Sequence, residues 1–257
     1  MKLFPFLAFL FGLCFGSFLN VVIYRLPRGL SVIIPRSFCP TCGHELSWYE
    51  NVPLLSFFLQ KGRCRACGTK ISMRYPLVEF LSGALAFYFV AKFDLTLTAF
   101  IFYVFSLFLL AASFIDLEHK IIPDELSLGG LLVGLVFSPF NPLVDPKGAF
   151  LGALCGAGGF YLLGEFYFWL RGREGLGGGD YKLLAMIGSF LGLERLLSVV
   201  FAASLSGVLG VLFIALIKRQ KISGTTSIPF GPFLALGALL VLLFPEKLAT
   251  FFSSSIY

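Results

Sequence analysis

Eight apolar segments, separated by more polar stretches, are the feature that most limits what this chain can fold into. The first covers residues 3–23 and contains no charged residue. At about 1.5 Å per residue, a helix of this length crosses a hydrocarbon layer of roughly 30 Å. The other predicted spans lie near residues 76–92, 96–115, 126–139, 149–170, 182–193, 197–217 and 230–244. The pattern predicts an all-α polytopic membrane protein with about eight transmembrane helices.

The composition excludes a soluble enzyme. Only 13% of the 257 residues are charged and 58% are hydrophobic, whereas soluble domains carry roughly 25% charged residues. A cleaved signal peptide is the competing interpretation of the first segment, but its apolar stretch is longer than the usual 7–15 residues and no small-residue cleavage site follows. We therefore expect the first segment to be retained as a transmembrane helix.

One polar region interrupts the apolar chain. Between Arg25 and Arg74 the sequence is rich in Pro, Gly, Cys and basic residues. We predict three parts: a first transmembrane helix at 1–24, a small cytoplasmic domain at 25–75, and a transmembrane domain at 76–257. With eight spans, 15 Lys and Arg residues fall on the side of the 25–75 region and 5 on the other. Because basic loops stay in the cytoplasm, this split predicts a cytoplasmic 25–75 region, and it explains the excess of basic charge without nucleic-acid binding.

Four cysteines in this region form two CxxC pairs, Cys39/Cys42 and Cys64/Cys67. Two such pairs about twenty residues apart are typical of a tetrathiolate metal site. A glycine directly follows each pair and permits the tight turn that brings both thiolates to one ion. Four sulfur ligands leave no open position, so the prediction is a structural zinc site. Two disulfides are the alternative, which a reducing cytosol disfavours.

Two aspartates lie where apolar segments meet polar ones. Asp116 follows the 96–115 segment, and Asp180 follows three glycines at the start of the 182–193 segment. An even number of predicted crossings separates them, so both lie at the same membrane face. Two converging carboxylates can share one proton, which leaves one as a base and one as an acid for peptide hydrolysis by water. The alternative, which the sequence pattern alone favours, is that both are helix caps or solvated anchors at the membrane face.

Other residues carry weaker signals. Glu79 and Glu165 lie inside predicted spans, where a charged group usually faces a partner or a cavity. The glycines at 152–160 are interpreted as sites of close helix packing and not as a nucleotide loop, since no strand precedes them. The segment 171–176 could steer a substrate, or its basic residues could simply anchor a span.

Several motifs along the chain match one known family. They comprise Gly16 to Pro27 (GSFLNVVIYRLP), both CxxC pairs, Arg74 to Glu79 (RYPLVE), Asp116 to Asp124 (DLEHKIIPD), Gly177 to Lys182 (GGGDYK) and Ile228 to Gly237 (IPFGPFLALG). The chain resembles the bacterial type IV prepilin peptidases, which are membrane aspartyl proteases of the GxGD type that also N-methylate their product. The motifs occur in the family's order from end to end.

The resemblance implies an enzyme of the bacterial inner membrane with its catalytic face toward the cytoplasm. It would cleave the basic leader of type IV prepilins and type II secretion pseudopilins after a glycine, with Asp116 and Asp180 as the catalytic pair. It also implies S-adenosylmethionine as the methyl donor for the new N-terminal residue. No glycine-rich methyl-donor loop is recognisable, so no residue is assigned to that cofactor.

Two other functions stay open on the sequence alone. The chain could cleave leaders without methylating the product. Alternatively, it could be a non-enzymatic zinc-bearing scaffold or transporter of a secretion apparatus, in which the two aspartates only cap helices or bind ions. A broken-helix transporter should have two related halves, and no internal repeat is recognisable.

Overall fold

The computed structural model describes residues 3–172, 177–218 and 229–244. Contacts divide the chain into two compact units, Met1–Ala111 and Ala112–Tyr257. The described residues form helices, with two isolated β-bridges and no strand. The helices are α1 Leu3–Arg25, α2 Leu55–Leu59, α3 Arg74–Phe93, α4 Leu97–His119, α5 Asp124–Phe137, α6 Pro146–Arg171, α7 Gly178–Leu191, α8 Leu193–Lys218 and α9 Gly231–Leu243.

All eight predicted apolar segments are helical, which confirms the all-α membrane fold. Within the described residues, five helices are long and apolar enough to cross a bilayer, namely α1, α3, α4, α6 and α8. The other three, α5, α7 and α9, have 14, 14 and 13 residues. At 1.5 Å per residue they measure only about 20 Å, short of a hydrocarbon layer of roughly 30 Å. The predicted total of eight spans is therefore not confirmed.

In the first unit, α1 and α3 pack closely because small residues line their contact. A Cβ atom added at Gly12 would lie 2.8 Å from Ala86 Cβ, and one at Gly16 would lie 2.6 Å from Glu79 Cα. The Ser82 hydroxyl donates a hydrogen bond to the Gly12 carbonyl at 2.7 Å. Without an aqueous hydrophobic effect between helices in lipid, such close backbone approach and interhelical hydrogen bonds supply the attraction.

The second unit is arranged around α7. Every residue of α7 from Leu183 to Leu191 is buried, as expected for a helix that is apolar on all sides. The predicted close packing of the 152–160 glycines is confirmed for two of them. A Cβ at Gly152 would clash with the Gly188 carbonyl oxygen, and one at Gly156 would lie 2.5 Å from that of Leu184. Helix α7 thus holds a fixed position against α6.

Candidate catalytic aspartates and cysteine cluster

Asp116 lies in the last turn of α4 and is only 5% exposed. Its Oδ2 atom accepts a hydrogen bond of 2.9 Å from the backbone N–H of Gly231, the first residue of α9. That N–H has no partner inside its own helix, because the first four amides of any α-helix lack one. The positive end of the α9 dipole also favours a negative charge at this point. The contact therefore stabilises the ionised form of Asp116.

Gly231 has no room for a side chain. A Cβ atom there would lie 2.7 Å from Asp116 Oδ2 and 3.0 Å from Ile122 Cδ1. The absence of a side chain lets the start of α9 approach the carboxylate directly. Gly231, within the PFGPFL stretch at 229–234, thus has a physical role beside Asp116 that the sequence pattern does not predict.

Asp180 is the third residue of α7. Its Oδ2 atom accepts a hydrogen bond of 3.3 Å from the N–H of Gly177, which precedes the helix. A carboxylate at this position stabilises the start of a helix by accepting an otherwise unpaired amide hydrogen. The capping role that the sequence left open therefore exists, and it does not prevent the carboxyl group from lying beside Asp116.

Ile122 packs against the glycines that lie beside the two aspartates. It is buried, and it lies close to Gly231 next to Asp116 and to Gly179 next to Asp180. A Cβ atom at Gly179 would lie 2.9 Å from Ile122 Cβ. Gly179 must therefore be glycine for α7 to begin where it does.

Electrostatics shows that the two carboxyl groups interact. Asp180 precedes the apolar part of α7, which is not one of the five helices of the described residues that are long and apolar enough to cross a bilayer. Burial and the nearby charge of Asp116 raise the pKa of Asp180 to about 6, against the smaller lowering effect of the Gly177 N–H. Like charges at short range cannot both ionise easily. The arrangement can hold one proton on Asp180 while Asp116 carries the negative charge.

A neighbouring ion pair was not predicted. Asp124 is the first residue of α5 and, because Pro123 occupies the N-cap position, its side chain does not cap the helix. Its Oδ1 atom instead lies 2.6 Å from Lys182 Nζ. This pair joins Asp124, the first residue of α5, to Lys182, the fifth residue of α7, which is the helix that carries Asp180.

The four cysteines of the CxxC pairs come together as predicted. Their sulfur atoms lie within 4.8 Å of one another, and those of Cys39 and Cys67 are 4.0 Å apart. A tetrahedral site with Zn–S bonds of about 2.3 Å needs sulfurs roughly 3.8 Å apart. All of these cysteines are free thiols, so the disulfide alternative is not realised. The donor set and its spacing fit a metal such as zinc.

Both CxxC turns have the same backbone design. The N–H of Gly43 donates to the Cys39 carbonyl, and the N–H of Gly68 donates to the Cys64 carbonyl in the same way. Both glycines have a left-handed φ, +73° and +72°. Other residues avoid this region, which explains the glycine after each pair.

The two glutamates inside predicted spans lie in different environments. Glu79 is buried and accepts a hydrogen bond of 2.8 Å from the Leu54 N–H, whereas Glu165 is exposed on α6. Of the proposed steering segment 171–176, residues 173–176 lie outside the described residues.

Comparison with known proteins gives two family matches along the chain. Residues 10–93 match the Bacterial Peptidase A24 N-terminal domain, and residues 103–215 match the Type IV leader peptidase family. The two matches together cover most of the described residues. No solved structure matches the chain.

Curated relatives carry the name prepilin leader peptidase/N-methyltransferase. The protein of Pseudomonas aeruginosa is 38% identical, over 93% of this chain and 90% of the relative. That of Stutzerimonas stutzeri is 35% identical, over 94% and 91%. That of Myxococcus xanthus is 45% identical over 82% of this chain, and the match spans 64% of that longer relative.

Proposed function

Since the chain belongs to the type IV leader peptidase family, we propose that it removes the leader from type IV prepilins and type II secretion pseudopilins and then N-methylates the new N-terminus. It is a multi-pass protein of the inner membrane. The observation that carries the proteolytic part is the approach of Asp116 and Asp180 on either side of Ile122, at the end of α4 and the start of α7.

Asp116 is the general base in this proposal. The hydrogen bond from Gly231 and the N-terminus of α9 favour its ionised form. The carboxylate removes a proton from a water molecule, whose oxygen attacks the scissile carbonyl carbon. No side chain of the enzyme forms a covalent bond to the substrate.

Asp180 is the general acid. Its raised pKa keeps a proton available in a range where an ordinary aspartate is ionised. The protonated carboxyl donates a hydrogen bond to the carbonyl oxygen as the tetrahedral intermediate forms. As the C–N bond breaks, Asp180 gives its proton to the leaving amine, and the proton that Asp116 took from water returns the pair to its singly protonated state. The new carboxyl terminus and new amino terminus then separate.

The substrate's chemistry suits the position of the pair. A basic leader followed by an apolar helix would place that helix in lipid and the scissile bond at the membrane surface. Both aspartates lie at helix ends. We place this face on the cytoplasmic side because eight of the chain's 20 basic residues lie between 25 and 75.

The 25–75 region is proposed as a cytoplasmic zinc-binding domain between the first helix and the 76–257 transmembrane domain. Cys39, Cys42, Cys64 and Cys67 would hold the ion, which would cross-link two chain turns and take no part in hydrolysis. S-adenosylmethionine would supply the methyl group. No described residue is assigned to this donor.

Mass spectrometry of the products tests the proposal. Purified protein in detergent is mixed with a prepilin that has a basic leader, a glycine at the cleavage site and an apolar helix, with or without S-adenosylmethionine. We expect cleavage after the glycine in both reactions and one added methyl group on the mature N-terminus only with the donor. Cleavage without methylation would support a protease alone, and an intact substrate would support a non-enzymatic scaffold.

A further inference from the structure

The 25–75 region exposes a group of large apolar side chains, which we call the apolar rim: Ile33, Ile34, Leu55, Phe58 and Leu59. Phe58 and Leu59 are 69% and 72% exposed, and Ile33 is 82% exposed. The three members on α2 are spaced i, i+3 and i+4, so they share one face of that helix. A patch of large apolar side chains such as these three, on the surface of a small polar domain, marks an interaction site.

The α2 part of the rim is tied to a fixed position on a membrane-spanning helix. Leu54, the residue before α2, donates its N–H to the Glu79 carboxylate at 2.8 Å. Glu79 is the sixth residue of α3, which is itself a membrane span. At 1.5 Å per residue, it lies about 7–8 Å along the helix from Arg74. Interfacial helices bury their apolar faces about 5–10 Å into the boundary between headgroups and acyl chains, and α2 begins at a comparable distance from the first residue of the α3 span.

The Ile33–Ile34 part is tied to the membrane independently. Arg25, the last residue of α1, is buried and donates hydrogen bonds to the carbonyls of Ser31 at 3.0 Å and Pro35 at 2.9 Å. These two carbonyls flank the isoleucines. Since α1 is also a membrane span, this loop lies where α1 leaves the bilayer.

Charge around the rim favours a lipid surface over a protein partner. The 25–75 region contains eight Lys and Arg residues and two Glu, and no Asp. Its net charge of +6 therefore equals that of the whole chain. Lys61, Arg63 and Arg65 follow α2 directly. Basic side chains beside an apolar face are typical of segments that lie on anionic membranes.

We propose that the apolar rim is inserted into the interface of the same bilayer that α1 and α3 cross, with the adjacent basic residues on anionic lipid headgroups. The 25–75 region is then held at the membrane surface by the Ile33–Ile34 loop and by α2, in addition to the flanking helices α1 and α3. This arrangement holds the cysteine cluster close to the membrane plane, and it needs no second protein.

Depth-dependent fluorescence quenching tests the proposal. The chain has two tryptophans, Trp48 and Trp169, and replacing both with Phe gives a background without tryptophan. One variant adds Phe58→Trp in the rim. The matched control adds Glu45→Trp, at an exposed polar position of the same domain. The full-length proteins are placed in bilayers with brominated lipids, and leader cleavage verifies that each variant is folded.

We expect brominated lipid to quench the Phe58→Trp variant at least several-fold more strongly than the Glu45→Trp variant, with iodide in the water giving the reverse order. A small fraction of brominated phosphatidylglycerol should quench the Phe58→Trp variant more than the same fraction of brominated phosphatidylcholine. Equal lipid quenching of the two variants, or stronger iodide quenching of the Phe58→Trp variant, would overturn the insertion. Equal quenching by the two lipids would overturn the role of anionic headgroups.

Discussion

Replacing Gly179 with alanine adds one methyl group at the contact between α7 and Ile122. The new Cβ atom would lie 2.9 Å from Ile122 Cβ, whereas carbon atoms in favourable contact are about 3.5–4.0 Å apart. The start of α7 must therefore move by roughly 0.6–1 Å relative to Ile122. Asp180 is the next residue, so its carboxyl group would move relative to Asp116.

The expected loss concerns catalysis more than folding. A misplacement of about 1 Å at a reacting group can reduce the rate about 100-fold. Glycine to alanine in a helix gains up to about 1 kcal/mol of helix propensity, which offsets part of the roughly 1–3 kcal/mol that overpacking costs. We therefore predict a Gly179→Ala protein that is folded in detergent and cleaves about 100-fold more slowly at saturating substrate.

Gly178→Ala is the matched control. It makes the same chemical change one residue earlier, and its Cβ would lie 3.6 Å from the Tyr181 hydroxyl, an ordinary contact. A change of about 0.5 kcal/mol or less, which corresponds to roughly twofold in rate, is expected. Initial cleavage rates and thermal unfolding are measured for both variants. Equal rates for the two variants would refute the argument that the Ile122 contact positions Asp180.

Three further predictions concern pH, metal binding and the ion pair. Because the pKa of Asp180 is raised to about 6, about half of its acid form remains at that pH, and the cleavage rate should fall as the pH rises through about 6; a fall that is complete below pH 5 would contradict this. Cys39→Ser should lose the bound metal in elemental analysis and Cys14→Ser should keep it, since only Cys39 belongs to the cluster; equal metal contents would contradict the assignment. Asp124→Asn should lower the free energy of unfolding by at most about 1 kcal/mol, because the pair with Lys182 is partly exposed. A loss above about 3 kcal/mol in denaturant titration would contradict this, since only a buried network stabilises a protein by that much.

The apolar pattern predicted where the helices lie but not how many cross the membrane. Hydropathy measures only how apolar a segment is, and a helix buried in protein is as apolar as one in lipid. Helix α7 is the clearest example, because all residues from Leu183 to Leu191 are enclosed by neighbouring helices. Its length of 14 residues could be read from the sequence only approximately, since helix ends depend on local capping.

The candidate site was predicted in part. The positions of Asp116 and Asp180 at the ends of apolar segments predicted that the two would lie at the same membrane face, and the paired CxxC turns predicted the cysteine cluster. The Gly231 contact joins residues 115 positions apart. It depends on where α9 packs, and no local pattern encodes that. The small space beside Ile122, which requires glycine at 179 and 231, likewise exists only in the folded chain.

Cleavage by aspartate variants tests the central claim most directly. Asp116→Asn and Asp180→Asn keep the size of each side chain and remove its ability to exchange a proton. Asp145→Asn is the matched control in the same unit, because Asp145 only accepts a helix-capping hydrogen bond from Gly148 at 3.0 Å, which asparagine also accepts.

In a single-turnover assay with purified protein, we predict no detectable leader removal by either Asp116→Asn or Asp180→Asn and a normal rate for Asp145→Asn. All three variants should remain folded and bind substrate. Leader removal at the normal rate by either of the first two variants would contradict a two-aspartate mechanism.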